Sequence, residues 1–272
     1  MSGRADRLAI AISAHGLMRI ASSASAVLIG VYLASLARQQ SGIDAGLLGM
    51  LGAVSFGAEL LFSIPLGVLS DAVSPRWLMA GGAATGALAI QLFVFRSRVP
   101  VFFLSRALEG IGVAAVTPPL LGLLTDATAS DGSLRARAMS FFELSLLAGL
   151  ALGGLIGTEF WSLVQVRAFS AIAVAYLASG AFLLIGGKGS RSHGGNEAIR
   201  GLRWALSDPS VLALAPVWLC VNAIVGLWLG PTLPFLLTHR PRSRQFLDGI
   251  FSGRSTDVAG CSSAMPLSSP SG

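Results

Sequence analysis

A chain of 272 residues in which 53% are hydrophobic and 12% charged has roughly half the charged fraction of a soluble globular protein. That balance excludes a water-solvated domain, so lipid must solvate most of the chain. The formal charge of +6 then belongs to loops at the cytoplasmic face of a membrane rather than to a nucleic-acid footprint.

A helix needs about 20 apolar residues to cross the hydrocarbon core. In chain order the sequence offers Leu8–Ala37, Ala45–Ser70, Trp77–Phe95, Val99–Thr125, Ala138–Trp161, Ala168–Gly187 and Val211–Thr238. None of these runs alternates with period two, which argues against barrel strands. The fold class is therefore all-α and multi-pass. Residues 1–187 form a six-helix bundle, 188–209 a polar cytoplasmic loop, 210–238 a seventh transmembrane helix and 239–272 a disordered polar tail.

The first run carries Arg19 and the second carries Glu59. Glu59 lies ~16–20 Å from either end of its helix at 1.5 Å per residue, too deep for a carboxylate to snorkel. Arg19 either snorkels to the inner edge or faces the interior. Between the second and third runs lies a short joint, Gly67-Val-Leu-Ser-Asp71-Ala-Val-Ser-Pro-Arg76, which makes those helices antiparallel neighbours. Ser74-Pro75 reads as a helix start, with Ser as the N-cap and Pro at the first helical position.

The fourth run carries Arg106 and Glu109, then Pro118-Pro119, which should kink or unwind it. The fifth carries Glu143 and the pattern Gly149-x-x-x-Gly153-Gly154-x-x-Gly157, small residues on one face that let a neighbouring helix approach closely. General packing and a gate role both fit that pattern. The seventh run is interrupted by Gly230-Pro231 and Pro234. Unwound backbone at such depth must be buried or line a cavity.

Charges at the bilayer centre cost several kcal/mol and by default mark a pathway or a buried pair. Arg19 then Glu59 in the first three runs, and Arg106 then Glu143 in the next three, suggest inverted triplets of the kind found in transporters. Such symmetry predicts two cross-pairs, Arg19 with Glu143 and Arg106 with Glu59. With the N-terminus inside, Arg4, Arg7, Arg76, Arg135, Arg137, Lys188, Arg191, Arg200 and Arg203 fall on the cytoplasmic side, against Arg38, Arg96, Arg98 and Arg167 outside; the bias favours that orientation. Cys220 and Cys261 suggest no disulfide framework, and His15, His193 and His239 are isolated, so neither a metal nor a cofactor is expected.

These residues resemble the major facilitator superfamily. Its loop signature between helices two and three, Gly-x-Leu-x-Asp-(basic)-x-Gly-(basic)-(basic), is matched at Gly67, Leu69, Asp71 and Arg76, and departed from at Ala72, Ser74 and Pro75. A second motif, Arg-x-x-(Gln/Glu)-Gly-x-Gly, fits Arg106, Glu109, Gly110 and Gly112. An antiporter motif in helix five is partly kept: Gly149, Gly153 and Gly157 fit, while Gly154 and Thr158 replace its Pro and last Gly. The resemblance covers about residues 8–238. It implies the first half, plus one helix, of a twelve-helix transporter that is truncated.

The expected function is secondary active transport of small solutes by alternating access, with proton coupling. The resemblance implies that the first and fourth helices line the cavity and links Arg106 to protons. Arg19, Glu59, Arg106, Glu109 and Glu143 are the expected transport and coupling residues, and Gly67, Asp71 and Arg76 the gating loop. The expected setting is a multi-pass protein of the plasma or inner membrane, with lipid, a small solute and protons as partners and no nucleic acid. The alternative is a non-transporting membrane fragment, or a half-transporter completed by a homo-oligomer or a missing second half. An enzyme is not expected, because no Ser/His or His/Asp set stands at membrane depth and the seventh run has no Lys for a retinal-type linkage.

Overall fold

The computed structural model describes residues 2–37, 43–95 and 98–187, with isolated positions between 207 and 220. The helices are α1 (Ser2–Ala37), α2 (Ala45–Ala72), α3 (Pro75–Phe95), α4 (Val99–Ala114), α5 (Thr117–Ala127), α6 (Gly132–Val164) and α7 (Arg167–Gly186). Six stretches are long and apolar enough to cross a membrane, α4 and α5 together forming the fourth. They coincide with the first six runs of the sequence, so the all-α, multi-pass reading holds. The predicted seventh helix, the 188–209 loop and the 239–272 tail lie outside the described residues, apart from those isolated positions.

Local chemistry sets the boundaries. Pro75 opens α3 as expected, but Ser74 contributes its carbonyl rather than its hydroxyl: the Trp77 and Leu78 N–H groups donate to it at 3.1 and 3.4 Å. The fourth span breaks at Ala115–Val116, just ahead of Pro118-Pro119. Each proline lacks an N–H and crowds the carbonyl four residues back, so Pro118 acts on Ala114 and Pro119 on Ala115. The prolines then serve as the first turn of α5, where no N–H is needed.

Asp131 caps α6. Its Oδ1 accepts from the Ser133 and Leu134 N–H groups at 2.9 and 3.0 Å. The Leu134 bond foremost, with those from Ser133, holds this exposed carboxyl below the usual carboxylate range. A depressed folded value means the cap contributes above the unfolded pKa and is lost as pH falls through the folded one. Asp131→Ala is therefore expected to speed amide exchange at Ser133 and Leu134 at neutral pH. The wild type should converge on the variant in acid, and equal exchange at neutral pH would refute the cap.

Short connections place the ends of α1, α3 and α6 and the starts of α2, α4 and α7 on one face of the bundle. Aromatic rings fill the core beneath that face: Phe93 stacks on Phe102 at 4.5 Å and on Phe169 at 6.1 Å, and Tyr32 meets Phe93, Phe169 and Trp161 edge-on. The α2 and α6 spans are the least buried, whereas α1 and the broken fourth span are the most enclosed.

The packing partners carry the symmetry foreseen in the charge order. The main contacts are α1 with α6, α1 with α7, α2 with α4, α3 with α4, and α3 with α7. Numbering the spans one to six and exchanging one with four, two with five and three with six maps this set onto itself. Each triplet has three spans, so the second runs opposite to the first, which is the geometry of inverted repeats. A serine-to-carbonyl hydrogen bond closes each of the exchanged contacts, α1 with α7 and α3 with α4, although the donor side does not follow the exchange. Ser179 of α7 donates to the Ala14 carbonyl of α1 at 2.7 Å, and Ser105 of α4 to the Ala89 carbonyl of α3 at 2.6 Å.

Candidate functional site

Arg106 and Glu109 sit three residues apart on α4 and so share one face. Arg106 Nη1 makes a salt bridge with Glu109 Oε2. The other carboxylate oxygen accepts from Ser25 Oγ of α1 at 2.6 Å and from the Tyr176 hydroxyl of α7 at 3.0 Å. All four residues are buried. Ser25, Glu109 and Tyr176 lie ~14–18 Å below the aromatic face at 1.5 Å per residue, close to the middle of a hydrocarbon core of about 30 Å. Three donors on one carboxylate offset part of its desolvation, so Glu109 ties together three spans. A fourth makes room for it: a Cβ on Gly86 of α3 would stand 2.6 Å from Tyr176 Cε1.

Tyr176→Phe removes one of the three donors without changing the ring. Hydrogen bonds to charged groups contribute about 1.5–3 kcal/mol, and a loss of that size is expected in denaturant unfolding of the detergent-solubilised chain. An unfolding midpoint equal to wild type would show that the hydroxyl is not bonded to the carboxylate.

The cross-pairs expected from the sequence are replaced by this local one. Arg106 takes Glu109, its neighbour on the same helix face, instead of Glu59. The α2 backbone does pass close by: a Cβ on Gly110 would lie 2.1 Å from the Ser55 carbonyl oxygen and 3.0 Å from the Glu59 nitrogen. The Glu59 side chain, however, is half-buried and engages in no salt bridge or hydrogen bond among the described residues. Arg19 is likewise half-buried, with Nε enclosed and lacking a hydrogen-bond partner. Glu143 is exposed on α6 and is not paired with Arg19.

In the joint, the α2 helix runs through Asp71 to Ala72, and the Asp71 side chain falls outside the described residues. A Cβ on Gly67 would make ordinary contact with Pro118 at 3.6 Å. Arg76 lies over the Trp77 ring at 5.6 Å, a cation–π contact, and its buried Nε has no hydrogen-bond partner.

Sequence reasoning missed Tyr176, Ser25 and His15. Tyr176 is one of two tyrosines, placed in a run without charge; its polar tip at membrane depth, which needs a partner once buried, was the available signal. His15, read as isolated, is buried at the α1–α6 contact. It stacks on Phe142 at 4.6 Å, and its Nδ1 lies 3.3 Å from Ser145 Oγ. The glycine pattern of the fifth run lies on this same contact. Added Cβ atoms at Gly149 and Gly153 would stand 2.5 Å from the Cβ atoms of Arg19 and Ser23, and one at Gly157 3.3 Å from that of Val27.

Residues 16–252 match a family described as Major Facilitator Superfamily. Among curated proteins the chain is similar to the synaptic vesicular amine transporter of Mus musculus, with 26% identity over 207 residues, 74% of this chain and 39% of that protein. It is 29% identical over 207 residues to the chromaffin granule amine transporter of Homo sapiens, covering 74% of this chain and 38% of that protein. The inner membrane transport protein YajR of Escherichia coli (strain K12) is 30% identical over 128 residues, 47% of this chain and 26% of YajR. The chain thus spans about two fifths of the length of the amine transporters it matches.

Proposed function

The chain belongs to the major facilitator superfamily, and from that premise we propose that it carries a small solute across a cell membrane by alternating access, coupled to proton movement. The observation that carries this reading is the charge arrangement at membrane depth. One arginine, Arg106, is neutralised inside the bundle, while Arg19 on the first span and Glu59 on the second stay outside any salt bridge among the described residues. Such charges are expensive in lipid and are retained where a solute or an ion passes.

In this reading Arg106 and Glu109 form the coupling element, Glu59 takes up and releases the proton, and Arg19 contacts the solute. Glu143 and the joint at Gly67, Asp71 and Arg76 act against a second helical bundle. The amine transporters among the relatives support an amine-bearing solute. The inner membrane location of YajR supports a cell membrane, and the arginine bias supports a cytoplasmic N-terminus.

The exposed faces of α2 and α6 favour a second reading. Phe56, Leu60, Leu61 and Ile64 on α2, and Leu144, Leu147 and Leu155 on α6, are exposed. A half-transporter that works only against another bundle, from a second copy or another chain, would cover them.

Reconstitution into proteoliposomes tests both readings. Solute uptake that follows an imposed pH gradient and collapses with a protonophore is expected. Uptake appearing only on co-reconstitution with a second bundle supports the half-transporter. No uptake of any solute under any gradient, alone or in combination, would sink the transport reading.

A further inference from the structure

The antiparallel helices α3 and α7 pack side by side, and along their contact they leave a groove of about 400 Å³. Small residues keep its floor low: Ala87 and Ala173, both buried, line it there. Leu88 of α3 and Val174 and Leu177 of α7 stand beside them with exposed side chains, so the groove opens toward lipid.

Its lining is layered by depth. Gln91 and Ser170 line it ~4–6 Å below the α3 and α7 ends at the aromatic face, at 1.5 Å per residue. Leu88 and Val174 follow at ~10 Å, then Ala84 and Leu177 at ~15–17 Å, which is half of a hydrocarbon core of about 30 Å. At the rim, Arg167 lies one turn above Ser170 on the same face of α7. It is exposed and in no salt bridge among the described residues. Gln91 and Ser170 likewise make no hydrogen bond among the described residues. An amide and a hydroxyl facing hydrocarbon are costly without a partner, and water does not supply one at that depth.

A cation at the rim, two donors a turn below it and an apolar trough underneath repeat the order of phosphate, ester carbonyl and acyl chain in one leaflet. We propose that the α3–α7 groove is a site for one glycerophospholipid in the leaflet at the aromatic face. Its phosphate docks on the Arg167 guanidinium, whose fork suits a phosphate. The Gln91 amide and the Ser170 hydroxyl donate to its ester carbonyls, and an acyl chain lies over Ala87 and Ala173. A second copy seated on the groove by a two-fold axis would bring two Arg167 cations together, and neither α3 nor α7 carries a carboxylate to balance them. The site is independent of the transport reading.

The test uses the full chain, stripped of lipid in detergent and titrated under native mass spectrometry with dioleoyl phosphatidylglycerol or with dioleoylglycerol, which lacks the phosphate. The phospholipid should bind about tenfold or more tightly than dioleoylglycerol, the effect of one charge-assisted contact. Arg167→Gln should bring the two lipids level. Gln91→Leu with Ser170→Ala should weaken both by about tenfold, because both lipids carry the ester carbonyls. Ala84→Phe, at an exposed position in the lower groove, should also weaken both. Leu155→Phe, on the exposed face of α6, should change neither.

Equal affinity of the wild type for the two lipids overturns the inference. So does binding that survives both the Gln91–Ser170 double change and Ala84→Phe. A wild-type dimer that Ala84→Phe splits, with lipid binding untouched, would assign the groove to a second copy and overturn it as well.

Discussion

Arg106→Gln is expected to destabilise the purified chain by about 3–5 kcal/mol, the usual cost of stranding one charge of a buried pair, and, on the transport reading proposed above, to abolish uptake. Glu109 would lose the cation that balances it and have two neutral donors, Ser25 and Tyr176, as its remaining support. Replacing both members, Arg106→Gln with Glu109→Gln, removes the stranded charge. The double variant should therefore be markedly more stable than the single one, although still inactive if the pair couples transport. Denaturant titration in detergent followed by circular dichroism measures the cycle. A single variant within about 1 kcal/mol of wild type, well below the penalty for breaking such a pair, would contradict the buried salt bridge.

Gly110→Val should disrupt the bundle more severely still. Even the Cβ of alanine would sit 2.1 Å from the Ser55 carbonyl oxygen, so the α2 backbone must move away from α4. Overpacking of this kind costs typically about 1–3 kcal/mol, expected for Gly110→Ala, and a branched side chain exceeds it. The companion change is Gly154→Ala, where no atom beyond the local helix lies within 4 Å; its effect should stay within about 0.5 kcal/mol. Thermal unfolding of the two variants gives the contrast. Equal midpoints would mean that α2 and α4 are not in contact at Gly110.

The six spans were legible in the sequence because a lipid-solvated helix must show an unbroken apolar run; which spans pack together was not, since α2 lies mainly against α4 and barely touches α3, the neighbour that the short joint suggested. The inverted repeat was legible through Arg19, Glu59, Arg106 and Glu143, whose order recurs in the two triplets. Their pairing was not. Apolar periodicity is nearly uniform around a helix bathed in lipid, so the sequence could not say which face of α4 looked at which neighbour. Arg106 found Glu109 on its own helix, and the cross-membrane partners turned out to be uncharged, Ser25 and Tyr176. Hydroxyl groups satisfy a buried carboxylate without advertising themselves in a charge count. The break before Pro118 was legible in kind, since proline rings act on the preceding turn, but its position at Ala115–Val116 follows from that offset rather than from the prolines' own place.

The contact between α1 and α6 works like a rack. Arg19, Ser23 and Val27, four residues apart, seat their Cβ atoms in the gaps left by Gly149, Gly153 and Gly157, also four apart. The two helices run in the same direction, so the teeth have a common pitch of ~6 Å at 1.5 Å per residue. Any axial displacement smaller than that pitch would drive a side chain into backbone. It would also break the Ser23 bond to the Leu150 carbonyl, 2.8 Å long. The seam therefore resists gradual shear. A conformational change that moves α6 relative to α1 must pivot about these teeth or jump a whole notch.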